Sequence, residues 1–472
     1  MANSHPLLSG SGSLYQRLAQ GLRAALVSGQ YQPGQRLPST RQLRASLGLS
    51  LNTIHQALQI LEAEGWIEFR PRAGTFARNP LSHPLYREPC PPVLLDRRDL
   101  VGEILRESNN LECVRLGATR PNQELLASKE IRRRVARLAR RGCPDQYDFA
   151  WGSRALRQQI ARLGLSAGLV LEPERILLCN GCQQAVVCLL QTLCQPGDIV
   201  AVESPTFFGY LEAIQMLRLK VVEIPSTPEH GISLMALSGC LQRHPPKCLL
   251  LTPNYSNPQG SLMSDLSKRQ LLKLCQDYDF PIIENDIQGE LAFQERRPLA
   301  LKAFDRSERV YYCSSFSKTL GPENQVGWIV PGKEVARVER VLTFSSFSSS
   351  LLWRTALADY LASGDYARVI NRARRTYASQ ALQVHQKLQA SLPPGSSCYL
   401  PQGGKMLWVE LPAHWDTLEL YRRCREYGLS ISPGCLYSAQ GSYDHCFRLN
   451  YSHWNPQVEA GLERLLLLLQ AN

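Results

Sequence analysis

Apolar residues recur at helical spacing near the amino terminus of the chain and at strand spacing farther on. Leucines stand at positions 14, 18, 22 and 26. This interval of four residues predicts a helix from Ser13 to Ser28 with one buried face, and Gly29 is expected to end it. The first folded segment of the chain is therefore predicted to be helical.

Two more helices and a hairpin are predicted before residue 80. Ser39 is a favourable cap for a helix over Thr40–Leu47, and Gly48 ends that helix. Ser50 caps a third helix that has one apolar face and one polar face. The apolar face consists of Ile54, Ala57, Leu58 and Leu61, and the polar face consists of Asn52, His55, Gln56 and Gln59. Trp66–Ala77 then predicts two short strands around a basic turn that contains glycine.

Short apolar strands alternate with helical segments between about residue 175 and residue 330. The predicted strands are Ile176–Cys179, Ile199–Val202, Val221–Ile224, Cys248–Thr252, Pro281–Glu284, Val310–Cys313 and Val326–Val330. This alternation predicts an α/β fold with a mostly parallel sheet covered by helices. After residue 335 the pattern is more helical, with strands again at Met406–Glu410 and Cys446–Asn450 before a final amphipathic helix. A smaller carboxy-terminal α+β part is therefore expected.

A proline-rich stretch separates the two patterns. Prolines stand at positions 80, 84, 89, 91 and 92 with little periodicity around them, which favours a semi-rigid linker over residues 79–110. The chain is thus predicted to be multidomain, with a small domain at 1–78 and a large module at 111–472. Within that module, the large part is expected at about 150–335 and the small part at about 336–472.

Composition restricts the class of protein. The chain has 472 residues, of which 44% are hydrophobic, and this is ample for two or three domains. It contains no apolar run of about 18 residues, and residues 1–12 lack the layout of a secretion signal. We therefore expect a cytoplasmic protein without membrane association. The 15 cysteines are spread along the chain and are interpreted as reduced thiols; no set of them has metal-ligand spacing, so no metal is expected.

Positive charge is concentrated near the amino terminus. The formal net charge of the chain is +12, which favours polyanionic partners. Residues 1–80 carry eight arginines against three glutamates, without aspartate or lysine, and double-stranded DNA is the partner to test there. A second basic stretch, Lys129–Arg141, is expected to be a solvated helix face or an additional DNA contact.

Three helices followed by a basic hairpin are typical of a winged helix-turn-helix, whose second motif helix enters the major groove of DNA. The run from Pro33 to Thr75, with Leu37–Arg41, Ser50–Ile54 and Leu61–Gly65 between them, resembles the GntR regulator family. The resemblance implies a set of residues at the DNA. These are Arg41, Thr53, Arg70, Arg72 and Gly74. Leu51 and His55 stand where that family often has arginines, so weaker phosphate contacts and a shifted sequence preference are expected.

The large module offers the groups that pyridoxal phosphate requires of a protein. Cys179–Ala185 follows a buried strand and opens a helix, so the backbone amides of Gly181, Cys182 and Gln183 are candidates to bind phosphate. Three other motifs that suit the cofactor follow later strands. They are Glu203–Gly209 with its two phenylalanines, Asn257–Gly260, and Ser315–Lys318.

The order of these motifs resembles that of fold-type I aminotransferases. The combination of such a module with a GntR-like domain resembles the MocR subfamily of bacterial regulators. The resemblance implies Lys318 as the lysine that forms an imine with the cofactor and Asn257 as the donor to the ring hydroxyl. It also implies Phe207 as the ring-stacking residue and Ser315 as a phosphate ligand. Arg448 would bind the carboxylate of an amino compound through its planar fork of donors.

Three positions depart from the aminotransferase pattern. Asn285 stands where the family has an aspartate for the pyridine nitrogen, Gln288 where a tyrosine is usual, and Gln325 where an arginine binds phosphate. A neutral Asn285 remains the candidate at the pyridine nitrogen but cannot keep that nitrogen protonated. Asp286 is adjacent, but on a strand its side chain is expected to point to the opposite face. Weak cofactor affinity and poor or absent transamination are expected.

Three functions remain open from the sequence. The first is a DNA-binding transcription regulator whose aminotransferase-like domain senses pyridoxal phosphate, an amino compound, or both. The second is a working aminotransferase with an appended DNA-binding domain, and the third is a cofactor-free dimerisation scaffold. Fold-type I aminotransferases place their active sites at a dimer interface, so the resemblance implies a homodimer that presents two DNA-binding domains.

Overall fold

The computed structural model describes residues 7, 13–27, 30–31, 34–63, 66–70, 73–78, 91–95, 100–107, 113–118, 121–142, 147–347 and 349–470. The helices of this part of the chain are α1 Leu14–Val27, α2 Thr40–Leu47, α3 Leu51–Ala63, α4 Leu100–Glu107, α5 Ser128–Arg141, α6 Arg154–Gly164, α7 Gly181–Leu193, α8 Phe208–Met216, α9 Leu234–Arg243, α10 Asp265–Asp277, α11 Val335–Ser346, α12 Leu351–Ala362, α13 Asp365–Ser391, α14 Thr417–Glu426 and α15 Pro456–Gln470. The strands are β1 Ile67–Arg70, β2 Gly74–Ala77, β3 Val93–Leu94, β4 Val114–Arg115, β5 Leu177–Cys179, β6 Ile199–Ser204, β7 Lys220–Thr227, β8 Gly231–Ile232, β9 Cys248–Leu251, β10 Ile282–Asn285, β11 Val310–Ser315, β12 Gly327–Val330, β13 Ser397–Cys398, β14 Met406–Glu410, β15 Leu429–Ser430, β16 Ser432–Pro433 and β17 Cys446–Asn450.

The amino-terminal domain consists of α1, α2 and α3 followed by the antiparallel hairpin of β1 and β2. Its core contains the predicted apolar stripe of α3, and the predicted polar face of α3 is exposed. Ser39 forms a reciprocal capping box with Gln42, and the Ser50 hydroxyl accepts a hydrogen bond from the Thr53 amide at 3.1 Å. Met235 of α9 and Leu266 of the α10 segment pack against this core from the large domain.

The expected linker over residues 79–110 is too long at its carboxyl end. Residues 79–90 lie outside the described residues, but β3 pairs with β7 in the main sheet, with Val93 opposite Val221. In α4, Val101 and Ile104 are buried in the core of the carboxy-terminal part. A strand of two residues and a helix of eight give too short a pattern to be recognised among the prolines.

The main sheet has the strand order β3-β7-β6-β9-β10-β11-β12-β5, with β8 paired to β7. The pairs from β7 to β11 in this order are parallel, whereas β12 runs antiparallel to both of its neighbours. Every strand predicted between residues 175 and 330 is present within two residues of its expected bounds, except that β7 extends three residues farther at its carboxyl end. The prediction of a mostly parallel sheet is confirmed.

Both faces of this sheet are covered. Helices α7, α8 and α11 pack on one face together with residues such as Val202 and Ile283. On the other face, α9 and α10 cover one half of the sheet, and α5, α6 and α12 cover the other. Strands buried on both sides explain why the sequence has continuous apolar runs here rather than a polar alternation.

The carboxy-terminal part is built on the antiparallel sheet β13-β14-β17-β16. The strands predicted at Met406–Glu410 and Cys446–Asn450 have those bounds and pair with each other, so that Trp408 lies opposite Arg448. Helices α4, α14 and α15 and the second half of α13 contribute to its core. Among the described residues, no helix is both long and apolar enough to cross a membrane.

Candidate functional site

Lys318 lies at the carboxyl end of β11, where parallel strands and the helices that follow them create a crevice. The strand ends at Ser315, whose hydroxyl accepts a hydrogen bond from the Ser317 amide at 3.1 Å and so starts the single 3-10 turn Phe316–Lys318. Lys318 lines a cavity of about 300 Å³ together with Phe208, Ser317, Gln325 and Arg448. Burial lowers the pKa of the Lys318 amine to about 8, and the charge of Arg448 acts in the same direction.

One end of this site has the features of an anion cradle. Helix α7 begins at Gly181, which has φ +83°, and within the described residues no side chain caps its first turn. A Cβ atom added to Gly181 would lie 3.9 Å from the Ser317 hydroxyl and 4.0 Å from that of Ser315. The start of α7, with the amides of Gly181, Cys182 and Gln183, thus lies beside these two hydroxyls, and amides at a helix amino end together with hydroxyls are groups that can bind phosphate. Gln325 is exposed and adds no charge.

Asn285 ends β10 and is buried between α7 and α8. Its side-chain amide donates to the Tyr210 hydroxyl at 2.5 Å, and its oxygen accepts from the Cys182 thiol at 3.0 Å. The same oxygen accepts from the Ile287 amide at 3.1 Å. The hydrogen bonds of Asn285 are therefore used within the protein, and the residue supplies no negative charge to a pyridine nitrogen.

Asp286 points to the opposite side of the strand, as the alternation of strand residues requires. Its carboxylate accepts from Asn254 at 3.0 Å and from the Tyr312 hydroxyl at 2.9 Å, and it forms a buried ion pair with Arg297. This set of partners occupies Asp286 completely. It does not substitute for the missing aspartate at position 285.

Arg448 and Asn257 are brought together from segments 191 residues apart, with the Nη1 of Arg448 donating to the Asn257 oxygen at 2.8 Å. The Nη2 of Arg448 donates to the Gly117 carbonyl at 2.7 Å, and the guanidinium lies 5.2 Å from the centre of the Tyr437 ring. Burial lowers the pKa of Arg448. Its Nε has no hydrogen-bonding partner among the described residues, and each Nη carries a second N–H besides the one named here.

Two aromatic residues follow β6 through Ser204–Thr206. Phe207 precedes α8 and its ring packs edge-on against Tyr210 at 5.5 Å, next to the Asn285 cluster, but Phe208 is the ring that lines the cavity with Lys318. The family resemblance had predicted Phe207 as the ring-stacking residue and had not singled out Phe208. Gln288 is buried with its amide bonded to the Tyr255 carbonyl at 2.7 Å, so it does not present a phenol-like donor to the cavity.

Four of the five residues predicted to contact DNA lie within the described part of the amino-terminal domain, and none of the four is buried. Arg41 is exposed in the first turn of α2, and the Thr53 hydroxyl lies 2.8 Å from that of Ser50 at the start of α3. Arg70 forms an ion pair with Glu68 and lies over the Phe76 ring, so its charge is partly compensated. Gly74 has φ +111°, and Arg72 lies outside the described residues.

Arg36 was missed by the sequence reasoning. A Cβ atom added to Gly74 would lie 2.8 Å from the Arg36 Nε. Arg36 is therefore the exposed basic side chain beside the hairpin turn. Arg36 is placed there by a single antiparallel β-bridge with Phe76. One isolated bridge produces no periodic pattern of residues in the sequence.

The basic stretch Lys129–Arg141 forms α5. Arg132 pairs with Glu323 at 3.2 Å, and Arg134 pairs with Asp359 at 3.1 Å. The remaining arginines of the helix are exposed; they are Arg133, Arg137, Arg140 and Arg141. Part of the stretch therefore attaches the helix to its own domain, and part is a solvated face.

Comparisons with known proteins agree with this architecture. The model of bacterial regulatory proteins of the gntR family matches residues 14–77, and that of aminotransferase class I and II matches residues 114–465. An uncharacterized HTH-type transcriptional regulator of Escherichia coli, YjiR, is 35% identical over 92% of this chain and 94% of its own length. The "Probable rhizopine catabolism regulatory protein MocR" of Rhizobium meliloti is 30% identical over 89% of this chain and 86% of its own length.

A solved structure shares the fold of the large module. The α-aminoadipate aminotransferase LysN of Thermus thermophilus, in complex with N-(5'-phosphopyridoxyl)-L-leucine, has 26% identity and a TM-score of 0.73. The match covers 79% of this chain and 94% of that chain. The chain therefore belongs to the MocR subfamily of GntR-type regulators, with a GntR helix-turn-helix joined to an aminotransferase class I and II domain, and it is a DNA-binding transcription regulator.

Proposed function

We propose that this regulator uses its aminotransferase-like domain to bind pyridoxal phosphate at Lys318 and to sense an amino compound whose carboxylate is held by Arg448. The observation that carries the proposal is the position of Lys318, Arg448 and Phe208 around one cavity of about 300 Å³. A ligand of this kind needs an amine, a carboxylate-binding group and an apolar wall, and the cavity supplies each of them.

The residues around the cavity fit the cofactor in part. The first amides of α7 and the Ser315 and Ser317 hydroxyls suit the phosphate, Asn257 lies beside the carboxylate-binding Arg448, and Phe207 lies near the Asn285 cluster. When bound, pyridoxal phosphate would supply an aldehyde that captures amines. The chain would supply the orientation of the amine and the anion-binding groups.

Sensing is favoured over turnover because the charges that drive catalysis are missing. Asn285 is neutral and bonded to Tyr210 and Cys182, so it cannot stabilise a protonated ring. Gln325 is neutral and cannot form an ion pair with the phosphate. A site that binds the cofactor weakly and does not react further is suited to a reversible response.

In the amino-terminal domain, we infer that Arg41, Thr53, Arg70 and Gly74 form the DNA surface together with Arg72. Thr53 lies on α3, whose exposed polar residues are accessible to base edges, and Gly74 is the first residue of β2, directly after the hairpin turn. Arg41 and Arg70 are exposed and suit contacts with phosphates.

Titration of the purified protein with pyridoxal phosphate, followed by a panel of amino acids and amines, tests the sensing proposal. We expect a visible absorption band on addition of the cofactor, a change of that band with a subset of amines, and a change in DNA affinity with the same subset. If no band develops at millimolar cofactor, the domain would instead be a cofactor-free dimerisation scaffold. Release of an oxo acid from an amino acid would identify a working aminotransferase.

A homodimer is also proposed. Four aromatic rings, those of Tyr147, Phe149, Phe344 and Phe347, are exposed and pack against one another at centroid distances of 5.8–6.3 Å. They lie near the start of α7, because the Ser345 hydroxyl accepts from the Gln184 side chain. A second copy of the chain would bury this patch and bring two DNA-binding domains together.

The dimer is tested by light scattering of the wild type and of the double variant F344S/F347S, with F69S, which replaces an exposed ring of the hairpin, as control. We expect the double variant to be monomeric at micromolar concentration and the control to remain dimeric. Footprinting on operators of varied half-site spacing should then show a preference for whole helical turns of about 10–10.5 base pairs. A monomeric wild type would contradict the proposal.

A further inference from the structure

Helix α5 carries a row of arginines on its outer face. The helix contains seven basic residues and one acid, Glu130. Its inner face packs on the large domain, where Ile131 is buried and Val135 lies against the same core. Positions three, four, seven or eight residues apart share one face of a helix. The outer face, called the arginine row below, consists of four exposed residues at this spacing, namely Arg133, Arg137, Arg140 and Arg141.

Ion pairs distinguish the two sides of α5. Arg132 and Arg134 each pair with an acid of the large domain, whereas no ion pair within the described residues involves a member of the arginine row. Exposed arginines of other helices differ in this respect, because Arg422 of α14 lies 3.3 Å from Glu419 of the same helix. The charges of the arginine row are therefore available to a partner outside the chain.

The stability of the helix does not explain this arrangement. Like charges four residues apart on a helix repel each other and destabilise it. Arg133 and Arg137 have this separation, and so do Arg137 and Arg141. The helix dipole favours cations in the last turn, which accounts for Arg140 and Arg141 but not for the other two. A polyanion bound along the row would remove the repulsion.

Helix α5 and the amino-terminal domain lie on the same side of the main sheet. Met235 of α9 and Leu266 of α10 pack against the core of the amino-terminal domain. Helices α9 and α10 cover one half of this face of the sheet, and α5 lies with α6 and α12 on the other half. Six strand spacings separate β7 from β5, which amounts to about 29 Å. One helical turn of DNA, about 34–36 Å long, spans this distance.

The dimensions of the arginine row suit the backbone of a duplex. The eight residues from Arg133 to Arg141 measure about 12 Å along the helix axis. Double-stranded DNA carries about one negative charge per 1.7 Å of its axis, so about seven phosphates lie within that length. The planar guanidinium group matches the geometry of phosphate oxygens. Contacts of this kind hold the backbone without reading the sequence.

We propose that the arginine row of α5 is a second DNA surface, which binds the phosphate backbone of the duplex beside the site held by the amino-terminal domain. The proposal rests on DNA binding by the amino-terminal domain and is independent of the cofactor. The amino-terminal domain selects the sequence, and the arginine row adds affinity and salt dependence and lengthens the contacted segment. DNA binding thereby involves the large domain directly.

The test uses the full-length protein and a duplex of about eight helical turns, which carries near its centre a site that the protein has selected from a random library. Affinity without cofactor is measured at several salt concentrations, and hydroxyl-radical footprinting identifies the protected backbone positions. The variant R137Q/R141Q removes two charges from the arginine row, and R137K/R141K keeps them. The matched control is R422Q/R425Q, which removes two exposed charges from α14.

In R137Q/R141Q we expect the slope of log affinity against log salt concentration to decrease by about two units for each bound chain, because two phosphate contacts are lost. Protection should disappear beside the selected site and persist at its centre. R137K/R141K should retain most of the slope and the flanking protection, and R422Q/R425Q should behave as the wild type. The melting temperature of R137Q/R141Q should equal or exceed that of the wild type, because repulsion within the helix is reduced.

The footprint also separates the two DNA surfaces. Arg41→Ala should weaken protection at the centre of the selected site. Central protection without flanking protection in the wild type would overturn the second surface and leave the first intact, whereas the absence of any footprint would contradict both. An unchanged slope and footprint in R137Q/R141Q, or an equal decrease in R422Q/R425Q, would likewise overturn the proposal.

Discussion

The DNA-binding domain and the candidate cofactor site differ in how their residues come together. The predicted DNA contacts lie between residues 41 and 74, on two adjacent helices and one hairpin. In the cofactor site, Arg448 bonds to Gly117, which lies 331 residues away in the sequence. A site whose residues are close together in the sequence can be recognised from their spacing. A site whose residues are far apart in the sequence depends on the order of strands in a sheet.

The two regions also differ in whether their charged residues are exposed or buried. Arg41 is exposed, and an exposed charge is weakly coupled to its surroundings, so the arginines predicted to contact DNA are expected to tolerate substitution one at a time. A buried charge cannot be lost without its neighbours adapting, and at Asn285 the neighbours Tyr210 and Cys182 accept the neutral amide. The neutral Asn285 is therefore matched by neutral hydrogen-bonding partners.

Loss of the amine at position 318 should have the largest effect. In Lys318→Ala, we expect no covalent cofactor adduct after treatment with pyridoxal phosphate and borohydride, because the nucleophile is absent. Mass spectrometry measures the adduct, and DNA binding without ligand should be retained. An adduct of equal yield on another lysine would mean that the reactive amine had been misassigned.

Adjacent residues of β10 should respond very differently to truncation. Asp286→Ala leaves the buried Arg297 without its closest partner and should lower the free energy of unfolding by about 3–5 kcal/mol. Asn285→Ala removes neutral hydrogen bonds and should cost about 1–3 kcal/mol. Chemical denaturation of both variants measures the difference. Equal losses would contradict the assignment of Asp286 to structure and Asn285 to the site.

Restoring a charge to the cofactor site should strengthen phosphate binding. We expect Gln325→Arg to tighten pyridoxal phosphate by about 1.5–3 kcal/mol, because it adds a charge-assisted pair. Spectroscopic titration gives the affinity, and Arg154→Ala, a charge change at a distant exposed position, is the control. No gain in affinity would indicate that the phosphate lies away from position 325.

Removal of one charge from the DNA surface should have a smaller, salt-dependent effect. Arg41→Ala should reduce the slope of log affinity against log salt concentration by about one unit, as expected for one phosphate contact. Binding titrations at several salt concentrations measure the slope, again with Arg154→Ala as the matched control. An unchanged slope would mean that Arg41 makes no phosphate contact, and the exposed arginines of α5 would then be the next candidates.

The smallest effect is expected at Arg70. Its charge is partly compensated by Glu68, so Arg70→Ala should weaken DNA binding less than Arg41→Ala does. Glu68→Gln should release Arg70 and slightly strengthen binding at low salt. The same salt titrations compare the three variants. A loss at Arg70 larger than that at Arg41 would reverse this ranking.

Most of the fold was predictable because its signals are local. Ser39, Gly48 and Ser50 delimit helices through their own backbone preferences, and the apolar runs between residues 175 and 330 are long enough to identify buried strands. The exceptions were short elements. Strand β3 and helix α4 were taken for linker because their contacts, not their patterns, attach them to the large module.

The sequence by itself determined the two-part architecture, the positive surface of the first domain and the opposite orientations of Asn285 and Asp286, since each follows from periodicity along one segment. Only the tertiary structure decided which aromatic ring lines the cavity and that Asn257 contacts Arg448. These contacts join distant segments. Their geometry depends on strand order and helix packing, for which no single segment carries the information.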